Sequence, residues 1–150
     1  MSSRLLSRVR GKLEWWVVLL TQPRFLIGVV ALLRSPDGRI LLVENRFWRG
    51  NRWGCPSGYM KHGETPERAA VRECREECGV RPRDVRVTRV AGGSRRRLEI
   101  WVTGTVDIDV APTALQRLEI TDAALLEPDE ALRRMRRPQA HEVRSLLALG

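Results

Sequence analysis

With 150 residues, 43% of them hydrophobic and 30% charged, the chain can bury a substantial core and is too apolar to be a disordered tail. Its 27 Lys and Arg against 18 Asp and Glu leave a net charge of +9, which favours anionic partners: nucleotides, nucleic acid or acidic headgroups. The sequence has no apolar run long enough to cross a bilayer, and its three cysteines, Cys55, Cys74 and Cys78, follow no disulfide framework, so a reduced, cytoplasmic setting is expected.

Residues 4–20 are predicted to form an amphipathic helix, with Leu5, Val9, Leu13, Trp16, Val17 and Leu20 at helical spacing and Arg4, Arg8, Arg10 and Lys12 elsewhere. Pro23 stops it, and Thr21-Gln22-Pro23-Arg24 lacks the small-residue pattern of a cleaved leader. Residues 1–24 are therefore an N-terminal extension, expected to pack on the domain that follows or on a second subunit, as in a homodimer. The alternative is a basic helix lying on an anionic membrane surface. The remainder, residues 25–150, forms one domain.

Phe25 to Leu33 is almost continuously apolar and β-branched, the pattern of a strand buried on both faces. Ser35-Pro36-Asp37-Gly38 has turn chemistry, and Arg39 to Glu44 is then the returning strand of a hairpin. After a polar loop, Asn45 to Asn51, a second helix is expected, with Thr65 as N-cap, Pro66 at its first position and Gly79 as the left-handed stop. Val71, Cys74 and Cys78 form its core stripe. Asp84 to Val90 alternates as a half-buried strand with arginines outward, Ala91 to Arg97 is a basic loop, and Leu98 to Ile108 is a long strand. A loop over residues 109–118, a strand from Glu119 to Leu126 and helices at Pro128 to Arg134 and Ala140 to Leu149 complete a mixed α/β pattern.

The second helix carries Glu73, Glu76 and Glu77 on one face, one turn apart, with Glu64 in the loop before it. Like charges so placed repel, and hard oxygen donors suit Mg²⁺, or Mn²⁺, better than zinc. The bland reading is a solvated acidic face neutralised by Arg68, Arg72 and Arg75. A zinc site built from the cysteines and His62 is discounted, because Cys74 and Cys78 fall on the core stripe.

Gly58, Glu64, Arg72, Glu73, Cys74, Glu76, Glu77, Gly79 and Val80 fill, without a gap, a pattern that resembles the signature box of the Nudix hydrolase superfamily. The resemblance implies a Nudix fold, an α/β/α sandwich around a mixed sheet. It also implies Mg²⁺-dependent hydrolysis of a pyrophosphate bond, an acid anhydride, in a nucleoside diphosphate linked to another moiety, by water attack at phosphorus. Implied metal ligands are Glu73, Glu76, Glu77 and the backbone carbonyl of Ser57, with Glu64 and Arg72 as a structural ion pair. Ser57 stands where glycine is common, so an unusual backbone dihedral there is a concern. A further catalytic carboxylate from outside the box is expected at Glu119, with Asp107 and Asp109 in reserve; the general base stays open.

Arg46, Arg49 and Arg52 before the box and Arg95 to Arg97 after it are candidate phosphate clamps, with Arg46, Arg52 and Arg96 preferred. Trp48, Trp53 or Trp101 could stack on a base, although burial is the commoner role of tryptophan. Signatures of several Nudix branches are missing downstream, leaving a nucleoside triphosphate or a less common nucleotide derivative. Two rivals stand beside hydrolysis. One is a non-catalytic Nudix-fold domain that senses a nucleotide; the other is an RNA-end-processing or RNA-binding protein, which the lack of an aromatic-basic RNA motif disfavours.

Overall fold

The structure, a computed structural model, describes residues 14–92, 96–107, 113 and 118–148. The elements are α1 (residues 14–21), β1 (Leu26–Arg34), β2 (Ile40–Asn45), β3 (Trp53–Gly54), β4 (Ser57–Tyr59), α2 (Pro66–Cys78), β5 (Arg83–Gly92), β6 (Arg97–Thr105), β7 (Ile120–Leu126), α3 (Pro128–Arg134) and α4 (Arg137–Leu147). Residues 4–13 of the expected first helix, and most of the loop expected over 109–118, lie outside the described residues.

The described strands form one mixed sheet, ordered β3-β2-β1-β6-β5, with β4 on β1 and β7 on β2. β1 runs parallel to β6 from Leu26↔Arg97 to Arg34↔Thr105, so the chain between them must cross over the sheet, and α2 lies in that crossover. Strand alternation then sorts β1 into two cores. Val29, Ala31 and Leu33 point to α2, meeting Ala69, Ala70, Cys74 and Cys78. Val30 and Leu32 point the other way, with Trp101, to Ala131, Met135, Ala140 and Val143 of the α3–α4 side. A sheet covered on both faces explains why β1 reads as a continuous apolar run. Each fully buried aliphatic side chain here contributes about 1.5–3 kcal/mol relative to exposure.

Three expectations change. The β1–β2 hairpin holds only at its tip, where Arg34 pairs Ile40. Beyond it β1 takes β4 as its antiparallel neighbour, and β2 takes β3 and β7. The tip itself is tightly tied: Ser35 Oγ donates to Asp37, and Arg39 holds the same carboxylate, pulling its pKa down to about 2. Second, β5 is not half-buried. It is the edge strand beyond β6, and Val87 and Val90 remain exposed, while arginines along it blunt the open edge.

The third change concerns α1. It does not pack on the domain: the residues from Trp15 to Leu20 are all exposed, as are Phe25 to Ile27 beyond it. The helix is closed locally instead. Thr21 Oγ1 donates to the Val17 carbonyl, Gln22 N–H to that of Val18, and Arg24 reaches back to that of Leu19, a cation at the negative end of the dipole. No helix among the described residues is long and apolar enough to cross a membrane.

Candidate active site

The ends of α2 are set by local chemistry. Thr65 accepts the Arg68 N–H at 3.3 Å, Pro66 occupies the first turn, and Gly79, at φ 71°, sends its N–H back to the Arg75 carbonyl. Capping fixes where the helix starts, hence which residues face the sheet and which face the loop between β4 and α2. Arg72 is the hub of that loop. Its Nε and Nη2 each lie 2.9 Å from a different oxygen of Glu64, Nη2 also donates to the Tyr59 carbonyl at 3.0 Å, and Nη1 reaches Glu73 at 2.5 Å and Glu76 at 3.4 Å. The planar fork of arginine permits this sharing; a lysine could not span it. The Arg72 guanidinium holds the Glu64 carboxyl down to about 2, with the Lys61 N–H assisting against burial, and Glu64 in turn raises Arg72.

The three helix carboxylates differ sharply. Glu76 is exposed and 3.9 Å from Lys61 Nζ. Glu73 is half-buried, folded so close to the loop that a Cβ on Gly58 would sit 2.0 Å from its Oε1. Any larger residue at 58 would thus displace that side chain. Glu77 is buried at 5% exposure, and Ser57 N–H donates to its Oε2 at 3.3 Å. Burial above all, then the Glu73 charge, with smaller repulsion from Glu119 and Glu76 and against the Ser57 N–H, together push Glu77 up to about 8. Ser57 itself lies in β4 and is absent from the positive-φ residues, so its extra Cβ costs no backbone strain.

Among the described residues no three His, Cys, Asp or Glu side chains are gathered closely enough to hold a metal ion as they stand. Glu73 and Glu76 are turned onto Arg72. The donor set nevertheless fits a small hard divalent cation: all are oxygens, and the buried Glu77 is surrounded by other carboxylates with only one N–H to offset them. Ligation would require Glu73 and Glu76 to release Arg72. Thiolate ligation has no basis, because burial drives Cys55 up to about 12 and Cys78 to about 11, and raises Cys74 as well.

Next to the loop that meets the α2 carboxylates lies a cleft of about 270 Å³ bounded by Asn45, Trp48, Ser57 to Tyr59, Arg97, Glu99, Glu119, Arg136, Pro138 and Gln139; Glu73, Glu76 and Glu77 do not line it. Its placement depends on Asn45, which composition and spacing did not single out. The ladder between β2 and β7 shifts at Glu44/Asn45, and the buried Asn45 there donates from Nδ2 to Glu119 Oε1 at 2.8 Å and accepts the Phe47 N–H at 2.9 Å. Arg46 N–H bonds the Glu119 carbonyl at 2.8 Å. Glu119 is thereby held at the cleft wall, near enough to Glu77 to affect its charge. The buried polar strand end in Val43-Glu44-Asn45 was the available signal.

The preferred arginines do not line this cleft. Arg52 pairs Glu44 at 2.7 Å, and Arg46 and Arg96 are exposed. Arg97 and Arg136 line it instead. The Arg97 guanidinium sits over the Tyr59 ring at 5.3 Å, with Nε 3.2 Å from Glu99 in an ion pair whose angle makes no hydrogen bond. Arg136 covers the Trp48 ring at 4.7 Å. Trp101 is wholly buried and Trp53 lies under Arg134, so Trp48 is the tryptophan at the cleft. Gln139 ties α4 to the floor by accepting the Cys55 N–H at 2.9 Å. Asp107 pairs with Arg83 on the surface, and Asp109 is not among the described residues.

A mixed sheet between two helical layers, with a capped helix presenting glutamates to a glycine-tight loop, defines an α/β/α sandwich. The NUDIX domain family model matches residues 24–147, and the chain belongs to that family. A Nudix hydrolase structure from Nitrosomonas europaea superposes with a TM-score of 0.65 at 17% identity, covering 81% of this chain and 69% of that one, which establishes the fold. A Mycobacterium tuberculosis protein carrying the provisional name 8-oxo-dGTP diphosphatase 3 is 35% identical over 83 residues, 49% of this chain and 38% of that protein. An RNA pyrophosphohydrolase of Baumannia cicadellinicola is 48% identical over 61 residues, 41% of this chain and 36% of that protein. The chain spans little more than a third of the length of these curated relatives.

Proposed function

We propose that the protein hydrolyses a pyrophosphate bond in a nucleoside diphosphate linked to another moiety, with Mg²⁺ or Mn²⁺ as cofactor. The observation that carries this reading is the junction at Ser57–Gly58. There Ser57 and Gly58 form part of the cleft wall, and the same two residues meet the α2 carboxylates: Ser57 N–H donates to Glu77, and Gly58 lies against Glu73. A phosphate chain in the cleft would lie beside the carboxylates.

Glu73, Glu76, Glu77 and the Ser57 carbonyl would hold the metal, whose chemistry when bound is to neutralise phosphate charge and acidify a water. The chain's own groups do the rest. Arg72 fixes the loop against α2 and, in its present contacts, keeps Glu73 and Glu76 apart from each other's charge. Glu119, held at the cleft wall by Asn45, would be the group that takes a proton from the attacking water. Arg97 and Arg136 supply positive charge to the phosphates, and Trp48 offers a face to the base. The names of the two relatives support a nucleotide or an RNA 5′ end as the diphosphate carrier.

The test is phosphate or pyrophosphate release from a panel of nucleoside triphosphates, nucleotide derivatives and 5′-triphosphorylated RNA, with and without Mg²⁺. Metal-dependent release that disappears in Glu76→Gln is expected. Tight nucleotide binding with no release from any substrate would instead make this a sensing domain.

A further inference from the structure

Nine of the fourteen large apolar side chains exposed among the described residues fall between Trp15 and Ile27, so the exposed apolar surface is concentrated in one appendage. Within α1, Trp15 to Leu20 are six consecutive apolar residues. At 100° per residue they cover the whole circumference, so no rotation of the helix could hide them against its own domain. Trp15 is 68% exposed, Trp16 63% and Leu20 77%. A helix apolar all round requires a surrounding apolar phase or a partner that encloses it.

Length and charge choose between them. The apolar run from Trp15 to Leu20 is six residues, bounded by Glu14 and by Thr21-Gln22-Pro23-Arg24, against about 20 needed to span the hydrocarbon core, so it can enter a bilayer surface but not cross the bilayer. Residues 1–24 contain Arg4, Arg8, Arg10, Lys12 and Arg24 against Glu14, five positive charges and one negative, or +4. A second copy docked on this segment would set +4 against +4. Anionic headgroups would neutralise it, and adjacent tryptophans favour the headgroup boundary, where an apolar ring and a polar N–H are both accommodated.

We infer that the N-terminal segment seats the protein on the surface of an anionic bilayer, with Trp15 to Leu20 entering the headgroup–acyl boundary. Phe25 to Ile27 extend the seat towards the active-site loop, because they form one wall of a groove whose other wall is Tyr59 to Glu64. Tyr59 also lines the catalytic cleft, so the seated face and the cleft mouth adjoin. This inference does not depend on the hydrolytic reading.

The experiment is flotation of the full chain with phosphatidylcholine vesicles, with and without phosphatidylglycerol, at low and high salt. The chain is expected to float with the anionic vesicles and to be released by salt. The Trp15→Glu/Trp16→Glu variant should reduce that partition by about tenfold or more. Its melting temperature should stay unchanged, because α1 does not pack on the domain. Arg8→Glu/Arg10→Glu should lose the preference for anionic over neutral vesicles. Failure of the wild-type chain to float, or equal flotation of the tryptophan variant, overturns the inference. So does a dimer in sedimentation velocity that the tryptophan variant dissolves and vesicles leave intact, which would make the occupant a second copy.

Discussion

Helices α1 and α2 stand at opposite extremes. Around α2, Glu64, Glu73, Glu76 and Glu77 each have a named partner within the chain, and both helix ends are capped by side chain or glycine. Around α1, the helix is closed by its own hydrogen bonds, yet its apolar side chains stand exposed. Charged groups whose partners lie within the chain become a site. Apolar groups left without cover specify an interaction outside it.

The strongest way to break the comparison is to empty the partnered side. Glu77→Gln keeps the volume and removes the ionisable oxygen; hydrolysis is expected to fall about 10³-fold while the melting temperature does not drop, since a buried carboxylate costs stability. A steady-state assay paired with a thermal melt checks both. Gly58→Ala should cost about 100-fold in turnover, because its Cβ would displace Glu73. A loss of fold without a change in kcat for the surviving fraction would break the proposed link between the loop and chemistry.

Glu64→Gln tests stability. Removing one partner of the Arg72 fork should cost about 1–3 kcal/mol near neutral pH. Glu64 is held down to about 2 from an ordinary value of 4.5, so its contribution is full above pH 4.5 and lost as pH falls towards 2. Melting curves of wild type and variant should therefore converge in acid. A constant gap across that window would show that the pair is not the cause. Trp48→Ala should raise KM about fivefold, the loss of roughly 1 kcal/mol of stacking, with kcat little changed. The smallest effect belongs to the other helix: Leu19→Glu/Leu20→Glu should shift stability by no more than about 0.5 kcal/mol by denaturant titration, because neither residue packs on the domain. A large loss would mean that α1 has an internal partner after all.

What the sequence disclosed follows the range of the interactions. The caps of α2 were legible because Thr65, Pro66 and Gly79 act within one turn; of the expected Val71, Cys74 and Cys78 stripe only the two cysteines reach the core, joined there by Ala69 and Ala70 in place of Val71. The continuous apolar run of β1 announced cover on both faces. Distant neighbours were not legible. The alternation of β5 looks the same on an edge strand as on a covered one, and only the strand order leaves Val87 and Val90 exposed. Arg97 rather than Arg96 lines the cleft because β6 begins at Arg97, while Arg96 takes φ 59° just before it. The role of Asn45 depends on a ladder shift against a strand about 75 residues away, beyond any local pattern.

The parting of β1 and β2 has a mechanical meaning. After the single pair Arg34↔Ile40 the two strands diverge as two arms from the Ser35–Arg39 turn, and Cys55-Pro56 carries the chain from β3 on one arm to β4 on the other. Ser57 to Tyr59 ride on one arm; Asn45, with Glu119 bonded to it, rides on the other. The width of the cleft is therefore set by how the sheet divides its pairing, in addition to the residues that line it.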